Sequence, residues 1–379
     1  MDSPFVYTKP AAQEYFLGRQ REVDWLGSNL NNGQHSLLAE PPRTGKQSLV
    51  QQTFAQLQHQ GAALKFCELS LFNVRSFRDL ALQIALQAAA AFANTLEDWK
   101  ALCANLLPLN ASRVKINETG MPGPMLIFPP TLAQDQIQEL LELPQSLCTH
   151  FQERRLVVHI KDFHNILLLE DFRPILAGCL KTWKTQPAAT YLLSASKVNA
   201  LRDFRCHNTA FDKLFEQIPL APIEEKTLID YMIKGFAKAG RVISKDLAEL
   251  VCRKTEGHPF YTQHLAHLCF INTKGYMNEA MFDQAYRDLL DVHHRDFCAL
   301  TDDLTDSQLS FLKAVIHRVE RFCMAEVLES YQLHSSANVN RVRTALEKKE
   351  ILSFYRNKPT FLDPVFKRWF VEKYLQESL

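Results

Sequence analysis

The chain has 379 residues, too many for one ordinary core and enough for two or three domains. Apolar residues make up 46% and charged residues 22%, the balance of a soluble globular protein. Lys+Arg 43 against Asp+Glu 42 gives a formal charge of +1, so no global field draws nucleic acid or membrane and any such binding needs a local patch.

The N-terminus MDSPFVYTKP carries an acid at position 2 and no apolar h-region, and no window approaches about 18 uninterrupted apolar residues. Neither a leader nor a membrane span is expected, and the cytoplasm is the expected location. The cysteines are odd in number (Cys 9), widely spread and free of any C-x-x-C, which argues for reduced structural thiols over a disulfide framework or a zinc site. No metal site is expected.

In chain order, Pro4 and Pro10 discourage regular structure until a helix begins near Gln20, with Val23, Leu26 and Leu30 on one face. Ser36 to Ala39 is a short apolar strand, and Gln47 to Gln58 has helix composition with Leu49, Val50, Phe54 and Leu57 spaced for one buried face. Between them lies Glu40-Pro-Pro-Arg43-Thr44-Gly45-Lys46-Gln47-Ser48. The ordinary phosphate-binding loop is G-x-x-x-x-G-K-[ST], whose N–H groups cradle phosphates, whose Lys reaches the β/γ-phosphates and whose hydroxyl holds Mg²⁺. Here Glu40 stands for the first Gly and Gln47 for the hydroxyl. Pro41 and Pro42 remove two N–H groups, whereas Arg43, Thr44, Gly45, Lys46 and Gln47 keep theirs at a helix N-terminus, where partial positive charge favours a phosphate.

Ala62 to Leu71 reads as a second strand and Ser76 to Asn94 as a helix, an alternation that points to a three-layer α/β sheet. Residues 104–131, rich in Pro and Gly, read as an irregular exposed insertion. A helix from about Leu132 to Gln152 leads into a buried parallel strand ending Ile160-Lys161-Asp162, and Ala189 to Ser196 forms another that ends in hydroxyls. His159 inside its apolar run reads as a satisfied core histidine, and His293-His294 as a solvated pair.

From Ala221 the composition is helical: Glu224 to Ala239, Ser244 to Thr255, a helix opened by Gly257-His258-Pro259, and Met277 to Val292. A third region follows, with helices at Leu304 to Ile316, near Ala325 to Tyr331 and at Asn338 to Glu350. Two β-like runs, Ile351 to Tyr355 and Thr360 to Leu362, then precede a last helix from Pro364. Three helices and a two-stranded wing are the order of a winged helix-turn-helix. Its third helix carries Arg341, Arg343, Lys348 and Lys349, diluted by Glu347 and Glu350 around a buried face of Val339, Val342 and Leu346. That basic stripe is weak, so a solvated or protein-docking face is preferred over DNA contact.

Taken together the chain resembles the archaeal-type ATPases of the AAA+/STAND group of P-loop NTPases. The resemblance rests on Phe16-Leu-Gly18-Arg19-Gln-Arg-Glu22, the loop at Glu40 to Ser48, Lys161-Asp162-Phe163, Ser194-Ala-Ser196, Gly257-His258-Pro259 and Asp363-Pro364-Val-Phe366-Lys-Arg-Trp369. It implies a P-loop α/β nucleotide-binding domain at 1–220, a helical lid at 221–297 and a winged helix at 298–379. It also implies ATP or ADP as ligand. By resemblance Arg19 contacts base or ribose, and Ser194 or Ser196 supplies a sensor hydroxyl. The acid completing the metal shell falls at Lys161, and the catalytic Glu at the shorter Asp162. His258 and Pro259 have two readings, a lid segment approaching the nucleotide and plain helix-start chemistry.

Gln47 and Lys161 depart from the family together. An ammonium about 4 Å from a phosphate oxygen is attracted by roughly 4 kcal/mol at an effective dielectric of ~20, and the same charge repels Mg²⁺. Expected, then, is a nucleotide-binding switch or scaffold with weak or lost hydrolysis, doubtful Mg²⁺ and an unidentified protein partner. One alternative is an active ATPase using Asp162 and Ser48, with a bulge re-aiming Asp162 into the metal position. The other is a nucleotide-free protein- or DNA-binding module that keeps only the fold.

Overall fold

Five strands line up in parallel in the order β2-β5-β6-β1-β7: β1 (Ser36–Ala39), β2 (Leu64–Ser70), β5 (Arg155–Lys161), β6 (Ala189–Ala195) and β7 (Glu216–Gln217). The computed structural model describes residues 3–93, 95, 97–98, 102, 113–115, 125–127, 131–152, 155–355 and 358–378. Most of the expected insertion at 104–131 lies outside these. Its described parts, β3 (Arg113–Lys115) and β4 (Met125–Ile127), pair antiparallel, so this much of it is a regular ribbon.

Side-chain alternation makes the sheet the middle of three layers. Leu156, Val158 and Ile160 of β5 and Tyr191, Leu193 and Ala195 of β6 enter one core with α3 (Phe77–Phe92), α4 (Gln134–His150) and α5 (Phe172–Lys184). Leu38, Val157 and Leu192 point the other way, into a core with α1 (Gln20–Asn32) and α2 (Lys46–His59). Period two therefore carries His159 and Lys161 to the same face as Val157, toward α2. Glu68 joins them on β2, where its neighbour Phe66 packs on Phe54 of α2.

After β6 come α6 (Val198–Cys206) and α7 (Thr209–Leu214), then the helices α8 (Glu225–Lys238), α9 (Lys245–Thr255), α10 (Pro259–Asn272) and α11 (Glu279–Asp302). Next are α12 (Asp306–Ile316), α13 (Ala325–Ser330), α14 (Ser336–Lys348), the antiparallel pair β8 (Leu352–Tyr355) and β9 (Lys358–Phe361), and α15 (Pro364–Trp369). One continuous core joins Leu228, Leu265 and Leu289 of α8, α10 and α11 to Leu346, Phe366 and Trp369 near the C-terminus. The expected boundary at 297/298 falls inside α11, which runs on because Phe297 packs against Phe366 and Trp369. The reading of His293-His294 as a solvated pair is corrected: His293 is buried against His264 (Nε2 to Nδ1 3.4 Å), and His294 accepts from the Trp369 indole at 3.0 Å.

The described cysteines are unpaired, and no described helix is long and apolar enough to cross a membrane. On α14, Leu346 is fully buried whereas Arg341 is exposed. Leu346→Ala is expected to destabilise by ~2–5 kcal/mol and Arg341→Ala by no more than ~0.5 kcal/mol, read as the ordering of their thermal midpoints. Equal midpoints would place α14 outside the core.

Candidate functional site

The loop between β1 and α2 opens at the C-terminal edge of the sheet, where parallel α/β sheets bind ligands. Gly45 has φ +93°, and a Cβ there would lie 2.9 Å from Arg19 Nη1, so this turn admits only glycine. Lys46 Nζ donates to the carbonyls of Glu40 and Pro41, both at 2.7 Å, and thereby holds the loop closed on itself. Burial lowers the Lys46 pKa to about 8, partly offset by Glu40 and Asp162. The Glu40 side chain accepts from Leu220 N at 3.0 Å, which ties the start of the loop to the chain beyond β7 and gives this acid a structural use.

Arg19 closes the loop from the other side, donating to Thr44 O at 2.5 Å and to Ala221 O at 3.1 Å. Lys46, Gln47 and Ser48 form the first turn of α2, whose N–H groups have no acceptor within the helix and point to where an anion would sit. A cavity of about 830 Å³ opens onto this turn. Its wall includes Arg19, Arg43, Gly45, Lys46, Gln47, Ser48, Lys161, Asp162, Ser194, Ser196 and Pro259, and continues into apolar surface from Tyr15, Phe16, Leu17, Ile223 and Leu228. Thr44 and His258 are not on that wall. Thr44 Oγ1 turns back to Pro41 O at 2.8 Å. The His258 ring lies against Tyr261, its Nδ1 buried without a side-chain partner and its pKa pushed by burial to about 4.

Beneath the first turn of α2 sits a polar cluster centred on Glu68. Its Oε1 accepts from Lys161 Nζ at 2.6 Å, and its Oε2 from Gln47 Nε2 at 2.8 Å and from His159 Nδ1 at 3.0 Å. His159 is 0% exposed, and its Nε2 lies 3.0 Å from Ser194 Oγ. Burial alone would raise the Glu68 pKa, but the bonds from His159, Gln47 and Lys161 outweigh it and draw it down to about 2. Burial lowers the His159 pKa, which leaves a neutral imidazole that donates to Glu68 and accepts from Ser194.

β5 pairs with β2 without interruption from Arg155 to Lys161, so no bulge re-aims Asp162. Asp162 follows the strand in a left-handed conformation (φ 53°) and accepts from Ser70 Oγ at 2.6 Å. Ser48 Oγ accepts from Ala11 N at 2.9 Å, so its hydroxyl is engaged by the N-terminal segment. Ser196 binds His164 Nδ1 through its backbone N–H at 3.3 Å. Among the described residues no group of three His, Cys, Asp or Glu converges as a metal site.

Two features escape a reading of sequence alone. Glu68 is a single acid in a short strand, and only the pairing of β2 with β5 sets it opposite His159. Arg43 stacks over the Phe260 ring of α10 at 4.5 Å, a contact between segments more than two hundred residues apart.

No protein-family model and no curated protein sequence matches the chain. Among solved structures it is similar to the Walker-type ATPase of Pyrococcus abyssi, at 14% identity and TM-score 0.68 over 96% of this chain and 99% of that one. It is also similar to the ORC2 protein of Aeropyrum pernix, solved as ADPNP–ADP complexes, at 14% identity and TM-score 0.57 over 94% of each chain. The fold is the α/β P-loop fold, as expected from the order of elements.

The Glu68 carboxyl titrates near 4.5 when unfolded and near 2 when folded, so its stabilisation is complete above about pH 4.5 and drains away as pH falls toward 2. The lowered pKa of His159 acts in the same direction below 6.5. The thermal midpoint of Glu68→Gln is expected below that of the wild type at neutral pH, with the gap closing between about pH 4.5 and 2. A gap independent of pH would mean that the charge of Glu68 does not stabilise the fold.

Proposed function

We propose that this chain is a nucleotide-binding homologue of the AAA+/STAND ATPases, a switch or scaffold whose hydrolysis is weak or lost. The observation that carries the reading is the contrast within one loop. A grip on phosphate is supported by the position of Lys46, by the first turn of α2 with no acceptor for its N–H groups within the helix, and by the Arg19 brace on Thr44. The place where catalysis needs a metal is filled by Gln47, Glu68 and Lys161 bonded to one another.

A nucleoside di- or triphosphate fits what is present. Lys46 and the α2 N–H groups would hold a phosphate, and the apolar wall from Tyr15 to Leu228 suits a base. Mg²⁺ does not fit. A hard dication needs oxygen ligands in number, and here Lys161 offers an ammonium where an acid would serve, Glu68 has both oxygens engaged by nitrogen donors, and one Asp162 oxygen is bonded by Ser70. Phosphoryl transfer in P-loop NTPases depends on positioning and metal-assisted charge stabilisation, so this geometry favours a binding role over turnover. Asp162 and Ser196 keep the catalytic-edge positions.

In this reading residues 1–220 bind nucleotide, 221–297 form the lid and 298–379 a winged helix in a cytoplasmic protein, with a protein as partner. The winged-helix reading favours protein over DNA because α14 is committed elsewhere. Glu350 caps α6 at Asn199 N (3.1 Å) and Ala200 N (2.9 Å), Glu347 pairs with Arg202 at 2.9 Å, and Arg343 lies over Phe354.

Titration of the chain with ADP and ATP tests the reading. Lys46→Ala is expected to lower affinity at least about tenfold, ~1.4 kcal/mol, with phosphate release by the wild type near background. Mg²⁺-dependent turnover lost in Asp162→Asn and Ser48→Ala would install the active-ATPase alternative. No binding of either nucleotide would leave an interaction module that keeps only the fold.

A further inference from the structure

The Glu68 cluster also bears on which form of nucleotide the site takes, a question that rests on the reading above. Besides Lys9, four cationic side chains, Arg19, Arg43, Lys46 and Lys161, stand on the wall of one cavity, which also carries the acid Asp162. In an ordinary P-loop site a divalent cation completes the neutralisation of the phosphates. Here one of the four, Lys161, is fixed on the α2 side of the sheet, 2.6 Å from Glu68, by a carboxylate whose other oxygen is held by Gln47 and His159. His159 is itself fully buried and bonded to Ser194 at 3.0 Å, which anchors the inner end of the row.

We propose that the site binds the metal-free form of a nucleoside di- or triphosphate, with the Lys161 ammonium, positioned by Glu68, in the place of the divalent cation. Mg²⁺ then competes with the protein for the ligand. A Mg²⁺-nucleotide complex brings a dication toward a fixed ammonium and finds no set of oxygens ready to share it. The complex must shed its metal to bind, and a triphosphate, the stronger chelator, loses more by this than a diphosphate. Glu68 is a positioning residue: it touches Lys161 and Gln47, not the ligand.

Isothermal titration of the full chain with ADP and with ATP, in EDTA and in excess Mg²⁺, tests the proposal. Expected is affinity in EDTA at least equal to that in Mg²⁺, with Mg²⁺ weakening ATP more than ADP. Lys161→Met should lower metal-free affinity about tenfold, ~1.4 kcal/mol, and shrink the penalty imposed by Mg²⁺. The comparison of buffers on the wild type stands even where the variant does not fold. A gain of about tenfold or more on adding Mg²⁺ overturns the proposal while leaving nucleotide binding in place. Loss of that gain in Glu68→Gln would then identify Glu68 as a metal ligand. No binding in either buffer overturns the nucleotide reading itself and this proposal with it.

Discussion

One carboxylate organises the sheet edge beneath the loop. Glu68 accepts from an ammonium and an imidazole of β5 and from an amide of α2, and so couples β2, β5 and α2 at the point where the loop begins its helix. Half-buried charge of this kind holds together as a set. Taking away one member strands the others, and an unpaired buried charge costs far more than the pair contributes. His159 shows how tightly the set is fitted: it is fully buried, yet both ring nitrogens have partners, which only a neutral ring in one tautomer can satisfy between Glu68 and Ser194.

The same cluster links Gln47 of the loop to Lys161 at the end of β5. An amide at position 47 in place of a hydroxyl has an N–H to donate, and Glu68 takes it. A lysine at 161 in place of an acid needs an anion, and Glu68 supplies it. A hydroxyl and an acid at these two positions would leave Glu68 facing another carboxylate at short range, a repulsion the observed pair converts into attraction. Gln47, Glu68 and Lys161 are thus one compensated unit, while the Lys46 ammonium takes no part in it and bonds the Glu40 and Pro41 carbonyls instead.

Much of this architecture was legible in the sequence because it follows from periodicity and local chemistry. The apolar runs of β5 and β6, the helix face of Leu49, Val50, Phe54 and Leu57, and the Pro259 start of α10 needed no tertiary information. Even the direction of Lys161 follows from its parity with Val157. Glu68 was not legible, since β2 and β5 are separated by most of a hundred residues and only strand order makes them neighbours. The burial of His293 depends on His264 across two helices, and the run of α11 past residue 297 on aromatic packing from the C-terminus. Composition alone could foretell neither. The expected irregular insertion is a ribbon where it is described, because three-residue strands leave too short a pattern to read.

Helices α8 to α11 and the C-terminal region share one core and so form a single packed body. That body meets the loop side through few polar contacts. Arg43 of the loop lies over Phe260 of α10, whose neighbour Tyr261 donates to Asp363 Oδ2 at 2.6 Å. Asp363 in turn caps α15 with its other oxygen, bonding Val365 N and Phe366 N at 2.9 Å. At the far side, Glu350 caps α6 directly after β6, the strand that carries Ser194 and Ser196. Both contacts begin on residues at the C-terminal edge of the sheet and both end on the same body. The loop and the end of β6 are therefore each joined to the C-terminal helices by side chains in direct contact.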